Sequence, residues 1–123
     1  MLFQMELQSD FSDEEYILFL ERYLEDDSQI NFIEQTYKTV SDNLYTIDDQ
    51  IEKCSDNWKT SRMAKVDLTI LRMAAAEIMF LPDVPVSVSA NEAVNLAKIY
   101  GGSESPKFIN GILGRLIKDC QEQ

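Results

Sequence analysis

Hydrophobic residues along most of this chain recur at intervals of three and four, the spacing that gathers them on one face of an α-helix. Proline, glycine and short polar runs divide the pattern into segments that start and stop where helices should. The pattern therefore predicts an all-α protein. The expected helical segments cover residues 1–8, 12–24, 30–51, 63–81, 86–100 and 105–120.

The two segments nearest the start of the chain differ in how they begin. Residues 1–8 favour a helix but carry no start signal, as the tail of a longer helix would. Ser12 and Glu15 fit a capping box, in which the two side chains satisfy each other's backbone N–H groups. We therefore expect a helix from Ser12 to about Leu24.

An apolar stripe runs from Ile30 to Ile51 in alternating steps of three and four. A long helix packed against its own neighbours explains it more simply than a coiled-coil seam used for homodimerisation. The acidic residues between the apolar positions then form a solvated face: Glu34, Asp42, Asp48, Asp49 and Glu52.

The segment 63–81 is apolar nearly all round, which predicts a central helix. Its charged residues are Asp67, Arg72 and Glu77. Two interpretations are equally favoured: buried or half-buried salt bridges within the bundle, or a partner-binding role for Glu77. The next helix should run from Val86 to Tyr100. Its expected inward residues are Val88, Ala93, Val94, Leu96, Ala97 and Tyr100.

The last helix should start with Ser105 as N-cap and Pro106 at its first position. One face would carry three kinds of residue at helical spacing: Lys107, Gly111, Gly114, Arg115 and Lys118. A glycine in a helix interior costs about 1 kcal/mol relative to alanine, so the two glycines need a reason. Their spacing favours close helix–helix contact over a smooth basic strip that could receive a phosphodiester backbone.

Charge is distributed unevenly around the net value of −11. Residues 1–60 carry fifteen acidic and four basic side chains, whereas residues 61–123 balance seven with seven. Because the first half would repel a nucleic acid, any RNA contact is expected in the second half or through a basic partner.

Candidate chemistry is sparse. The chain has no histidine, no glycine-rich phosphate loop and no nucleophile placed beside a base. Cys54 and Cys120 are expected to be free thiols of a reducing cytoplasm, without a metal or another cofactor. No apolar run approaches the roughly 20 residues that span a bilayer. The residues alone therefore predict a helical binding module and not an enzyme.

The stretch from Asn57 to Gly101 and the start of the last helix resemble the NusB family of bacterial transcription antitermination factors. The matching pieces are Asn57-Trp58, Arg62-Met63, Val66-Asp67, Ile70-Leu71-Arg72, Ala74-Ala75-Ala76-Glu77, Asp83-Val84-Pro85, Asn91-Glu92-Ala93-Val94, Leu96-Ala97-Lys98, Tyr100-Gly101 and Ser105-Pro106-Lys107-Phe108-Ile109-Asn110-Gly111-Ile112-Leu113. They cover about half of the chain, in order. Residues 1–56 match mainly in helix pattern.

The resemblance implies a single domain, residues 1–123, that folds as a compact bundle of about six to seven helices in two halves, 1–56 and 57–123. It implies a role in the antitermination complex of RNA polymerase on ribosomal RNA operons, through boxA-type single-stranded RNA and NusE, a small-subunit ribosomal protein. The residues expected to contact RNA are Lys98, Tyr100, Lys107, Phe108, Asn110, Gly114 and Lys118. Glu77 and Arg72 are expected to contact the partner.

Two departures from the family pattern bear on RNA binding. Relatives open with an arginine-rich segment before the first helix, whereas Met1 here falls within that helix. A shortened chain, a mis-assigned start and a naturally reduced variant would each explain the difference. Gly114 stands where many relatives carry an acid, which makes the strip more favourable to phosphate.

Two alternatives remain. One is the NusB-like domain of an RNA methyltransferase. The absence of a cofactor-binding βαβ pattern after Lys118 argues against that enzyme for the chain as given. The other is a homodimeric interaction module that has lost RNA binding.

Overall fold

The computed structural model describes residues 27–121, with side chains from residue 34 onward. The expected helices at 1–8 and 12–24 lie outside the described residues. Five α-helices and one 3₁₀ turn make up the described part, which contains no strand and confirms the all-α prediction. They are α1 (Asp27–Asp42), α2 (Leu44–Cys54), the 3₁₀ turn (Thr60–Arg62), α3 (Lys65–Phe80), α4 (Val86–Tyr100) and α5 (Ser105–Gln121).

Helix α3 is the centre of the described bundle and packs against each of the other four helices. Its three consecutive alanines, Ala74 to Ala76, are buried and let neighbouring helices approach closely. The prediction of a central helix is confirmed. None of the helices within residues 27–121 is long and apolar enough to cross a membrane.

The stripe predicted between Ile30 and Ile51 is divided between two helices. Asn43 interrupts the helix, and its side-chain amide donates a hydrogen bond to the Thr39 carbonyl at 2.9 Å. Within the described part of the stripe, all positions from Tyr37 to Ile51 are buried in the chain's own core. Their burial argues against a coiled-coil seam there and supports the packing alternative.

Arg72 lies in the core and is 1% exposed. Its Nε and Nη2 atoms donate to the two carboxylate oxygens of Asp48 on α2, at 2.8 and 2.7 Å. Asp48 therefore does not belong to the solvated acidic face expected for it. Glu52 departs from that face too, because its carboxylate accepts hydrogen bonds from Thr60.

The connections around α4 follow the punctuation of the sequence. The span Val86–Tyr100 of α4 is as predicted, with Pro85 at its N-cap and Gly101 at its C-cap. A Cβ at Gly101 would lie 2.6 Å from the Ser105 Cβ and 2.8 Å from the Ala97 carbonyl oxygen, so this turn requires glycine. Cys54 and Cys120 are both free thiols.

The inward face of α4 differs from the expected one at its start. Val88 is 48% exposed, whereas the neighbouring Ser89 is buried. The Ser89 hydroxyl donates to the Glu77 carboxylate at 2.7 Å, so a polar bond sets this end of the helix. Ala93, Leu96 and Ala97 are buried as predicted.

We expect Asp48→Asn to lower the free energy of unfolding by about 3 kcal/mol or more, because it removes a carboxylate charge that is bonded to the buried Arg72 guanidinium. Asp49→Asn is the matched control, since Asp49 pairs with Lys53 on the exposed side of the same helix. That variant should change stability by less than about 1 kcal/mol. Urea denaturation of both variants measures the difference, and equal effects would contradict the role given to Asp48.

Candidate nucleic-acid interface

The face of α5 predicted as a strip is open to solvent. All five of its members are exposed: Lys107, Gly111, Gly114, Arg115 and Lys118. A Cβ added at either glycine would meet no described atom within 4 Å. Against residues 34–121 the glycines therefore mediate no close helix packing, which argues against the interpretation that their spacing favoured, and the smooth-strip alternative fits the geometry.

The start of α5 is fixed differently from the expectation. The Ser105 hydroxyl accepts a hydrogen bond from the Gly102 N–H at 2.9 Å, and so it stabilises the preceding turn. The Phe108 N–H donates to the Glu104 carbonyl at 3.0 Å, which places Glu104 at the N-cap position. Phe108 itself is half-buried and packs against the core.

Two grooves flank the start of α5, and Phe108 lines both. The first groove has a volume of about 510 Å³, and its lining includes Cys54, Asp56, Lys107, Phe108, Gly111 and Arg115. The second groove has a volume of about 470 Å³, and its lining includes Trp58, Arg62, Met63, Asp67, Ser105 and Phe108. The α2–α3 connection forms the far wall of both grooves.

The structure brings only part of the expected RNA-binding set together. Lys107 and Phe108 meet at the first groove. Asn110, Gly114 and Lys118 are exposed on α5 but line neither groove. Lys98 is exposed and Tyr100 half-buried in the last turn of α4, and they also line neither groove.

Arg115 lines the first groove and forms a salt bridge with an acidic neighbour. Its Nη1 atom donates to the Asp56 Oδ1 atom at 2.7 Å, across the groove from α5 to the α2–α3 connection. Asp56 has a φ of 57°, in the left-handed region that non-glycine residues seldom adopt. The pair thus joins the strip to a tightly turned loop.

That loop carries Trp58, which the sequence predicted only as part of the family resemblance and not as a site residue. Trp58 is 50% exposed, although the loop beneath it is firmly bonded. The Glu52 Oε2 atom accepts from the Thr60 N–H at 2.9 Å, and the Glu52 carbonyl accepts from the Asn57 N–H at 2.7 Å. A tryptophan followed by Lys59 and Arg62 was the available signal, since rings among cations suit nucleic acids.

Glu77 and Arg72, the expected partner contacts, have different environments. The burial of Arg72 argues against a contact with a partner, because its guanidinium already holds Asp48. Glu77 is half-buried between α3 and α4. Burial, with a smaller contribution from the charge of Glu92, raises the pKa of Glu77 to about 7, and the Ser89 hydrogen bond opposes this rise.

The fold and its surface define a helical binding module with an exposed basic strip. Comparison with known proteins identifies its relatives. A model described as the NusB family matches residues 1–118. The chain therefore belongs to the NusB family, whose function is transcription antitermination and not catalysis.

Individual relatives agree. Proteins named transcription antitermination protein NusB from Acetivibrio thermocellus and Alkaliphilus oremlandii are 45% and 42% identical to it. Each alignment covers 96% of this chain, and 81% and 86% of those proteins. A solved structure of T. maritima NusB matches with a TM-score of 0.74 and 35% identity, over 96% of this chain and 83% of that one.

We expect Gly111→Ala and Gly114→Ala each to raise the free energy of unfolding by about 1 kcal/mol, because alanine favours the helix and its Cβ meets open space. Gly101→Ala should lower it, because the added Cβ collides with Ser105 and Ala97. Thermal unfolding of the three variants provides the measurement. A loss of stability at Gly111 or Gly114 would show that the strip is covered.

Glu77 should make stability depend on pH. Its pKa is about 7 in the folded state against an ordinary value of 4.5, so the unfolded chain loses this proton first as the pH rises. Stability should therefore fall between about pH 4.5 and 7, by at most roughly 3 kcal/mol, and stay low above that range. Glu77→Gln should be more stable than the natural chain at pH 8 and should flatten the profile. Urea denaturation across this range tests it, and unchanged profiles would contradict it.

Proposed function

We propose that this chain is a non-enzymatic RNA-binding adaptor of the cytoplasm that holds boxA-type RNA together with NusE in the antitermination complex of RNA polymerase. The observation that carries the proposal is the open strip on α5, where two lysines flank two glycines at which an added Cβ would meet no described atom within 4 Å. Such a surface lets a phosphodiester backbone approach the helix closely while cations neutralise its phosphates.

The environment of the strip supports a single-stranded ligand. Phe108 and Trp58 line grooves beside it, and aromatic rings stack on bases that are free of a duplex. Lys107 and Arg115 share the first groove, where Asp56 holds the Arg115 guanidinium in place. Cations and rings are thus available within one surface.

A basic protein partner fits the remaining charge. The acidic excess lies in residues 1–60 of the sequence and would attract a basic ribosomal protein. Glu77 remains our candidate for one contact, because a cation brought against it would offset the cost of ionising a half-buried carboxyl. Arg72 would act indirectly, by fixing α3 against α2.

The leading alternative is an interaction module without RNA binding. Its expected interface was the stripe from Ile30 to Ile51, and the described portion from Tyr37 onward is unavailable because the core occupies it. The segment at residues 1–8, which resembles the end of the family's first helix, lies outside the described residues. Sedimentation at several concentrations would report any homodimer formed through another surface.

Lys107→Ala and Lys118→Ala should each weaken binding to a boxA-type RNA and reduce the salt dependence of binding by a slope of about 0.7 per lysine. Lys38→Ala and Lys53→Ala are the matched controls, because these exposed lysines lie on α1 and α2 in salt bridges of their own. Fluorescence anisotropy with labelled RNA, in several salt concentrations, measures both effects.

The same titration is to be repeated with a scrambled RNA and with NusE added. We expect a preference for the boxA-type sequence and higher affinity when NusE is present. Absence of specific binding under both conditions would contradict the proposal, as would equal losses from the strip and control lysines.

A further inference from the structure

The second groove has the composition of a nucleobase site. Trp58 and Phe108 supply two ring faces, and Arg62 is an exposed cation of its lining. Its volume of about 470 Å³ lies in the range of sites that hold small aromatic ligands. Glu52 orders the loop that carries Trp58, so the indole needs little further ordering to receive a base.

Asp67 adds an unfilled acceptor to this groove. Its Oδ1 atom is buried and has no hydrogen-bond partner among residues 34–121. Asp67 lies in the first turn of α3, where a negative charge favours the helix dipole. The dipole accounts for the charge but supplies no donor, and a buried acceptor without one costs about 1–3 kcal/mol.

The acceptors of the groove select among bases. Glu104 also lines it, so a second acidic residue borders the space that a ligand would enter. Guanine presents a ring N–H and an amino group side by side, which can both donate to one carboxylate. Uracil presents a single N–H between two carbonyl oxygens, which carboxylates repel.

We propose that the second groove binds one guanine of single-stranded RNA, stacked against Trp58 and Phe108 with its N–H edge donating to the carboxylate of Asp67. This assignment rests on the proposed function and gives it a base-reading element. The backbone of the bound RNA would continue from Arg62 toward the strip on α5. Because Oδ1 is closed to solvent in the empty groove, binding of the base includes a local shift of the Asp67 side chain or its cover.

Trp58 is the only tryptophan of the chain, so its fluorescence reports on this groove directly. The probes are uridine heptamers whose central base is guanine, inosine, adenine or uracil. We expect the guanine heptamer to quench Trp58 and to bind about tenfold more tightly than the uracil heptamer. Inosine, which lacks only the amino group, should fall between them.

Variants separate base reading from general attraction. Asp67→Asn should abolish the guanine preference, whereas Asp83→Asn, an exposed acid in the turn between α3 and α4, should keep it. Trp58→Leu should weaken all four heptamers about tenfold when binding is followed by anisotropy. Circular dichroism confirms that each variant folds, and the base series on the unaltered protein needs no variant.

Equal affinity for the guanine and uracil heptamers, or RNA binding without quenching of Trp58, would overturn the assignment of this groove. The proposed function would survive that outcome if the lysines of the strip still governed binding to the boxA-type RNA. Absence of RNA binding in both experiments would remove the function and the guanine site together.

Discussion

The buried pair of Arg72 and Asp48 is the constraint on which the described structure depends. A guanidinium inside a bundle is tolerated only if a carboxylate meets it with good geometry, and two Arg72 N–H groups here bond the carboxylate of Asp48 at 2.7–2.8 Å. The pair fixes the rotation of α2 against α3. One turn later on α2, Glu52 bonds Thr60 and thereby orders the loop that carries Trp58. Helix α2 thus contributes Asp48 to the core and Glu52 to the ordering of the surface loop.

The strip on α5, unlike this pair, contains residues that do not stabilise the fold. Gly111 and Gly114 lower the stability of the helix. No close contact with residues 34–121 offsets that loss. A sequence that keeps helix-weakening residues on an open face between lysines suits the proposed ligand, whose backbone must come close to the helix. The acidic excess of residues 1–60 makes residues 61–123 the less repulsive part of the sequence for that ligand.

Local patterns predicted much of this architecture. The span Val86–Tyr100 and the exposure of Lys107 and Lys118 followed from periodicity and from proline and glycine, which act within a few residues. The partner of Arg72 could not be predicted in that way, because Asp48 lies 24 residues earlier and meets it only after α2 and α3 pack. The burial of Ser89 in place of Val88 has the same cause, since its partner Glu77 belongs to another helix.

The candidate site was harder to predict than the fold for a related reason. Sequence reasoning placed RNA contacts along α5, whereas the grooves exist only where the α2–α3 connection approaches that helix. Asp56 and Asn57 both adopt positive φ, and this tight turn precedes Trp58 on the wall that faces Phe108. Asp and Asn are common in such turns, so the sequence could signal the turn but not its position opposite Phe108, which depends on packing. Backbone strain in such a loop is retained when the surrounding bonds over-determine it, and Glu52 supplies those bonds here. The loop therefore belongs to the proposed binding surface as much as helix α5 does.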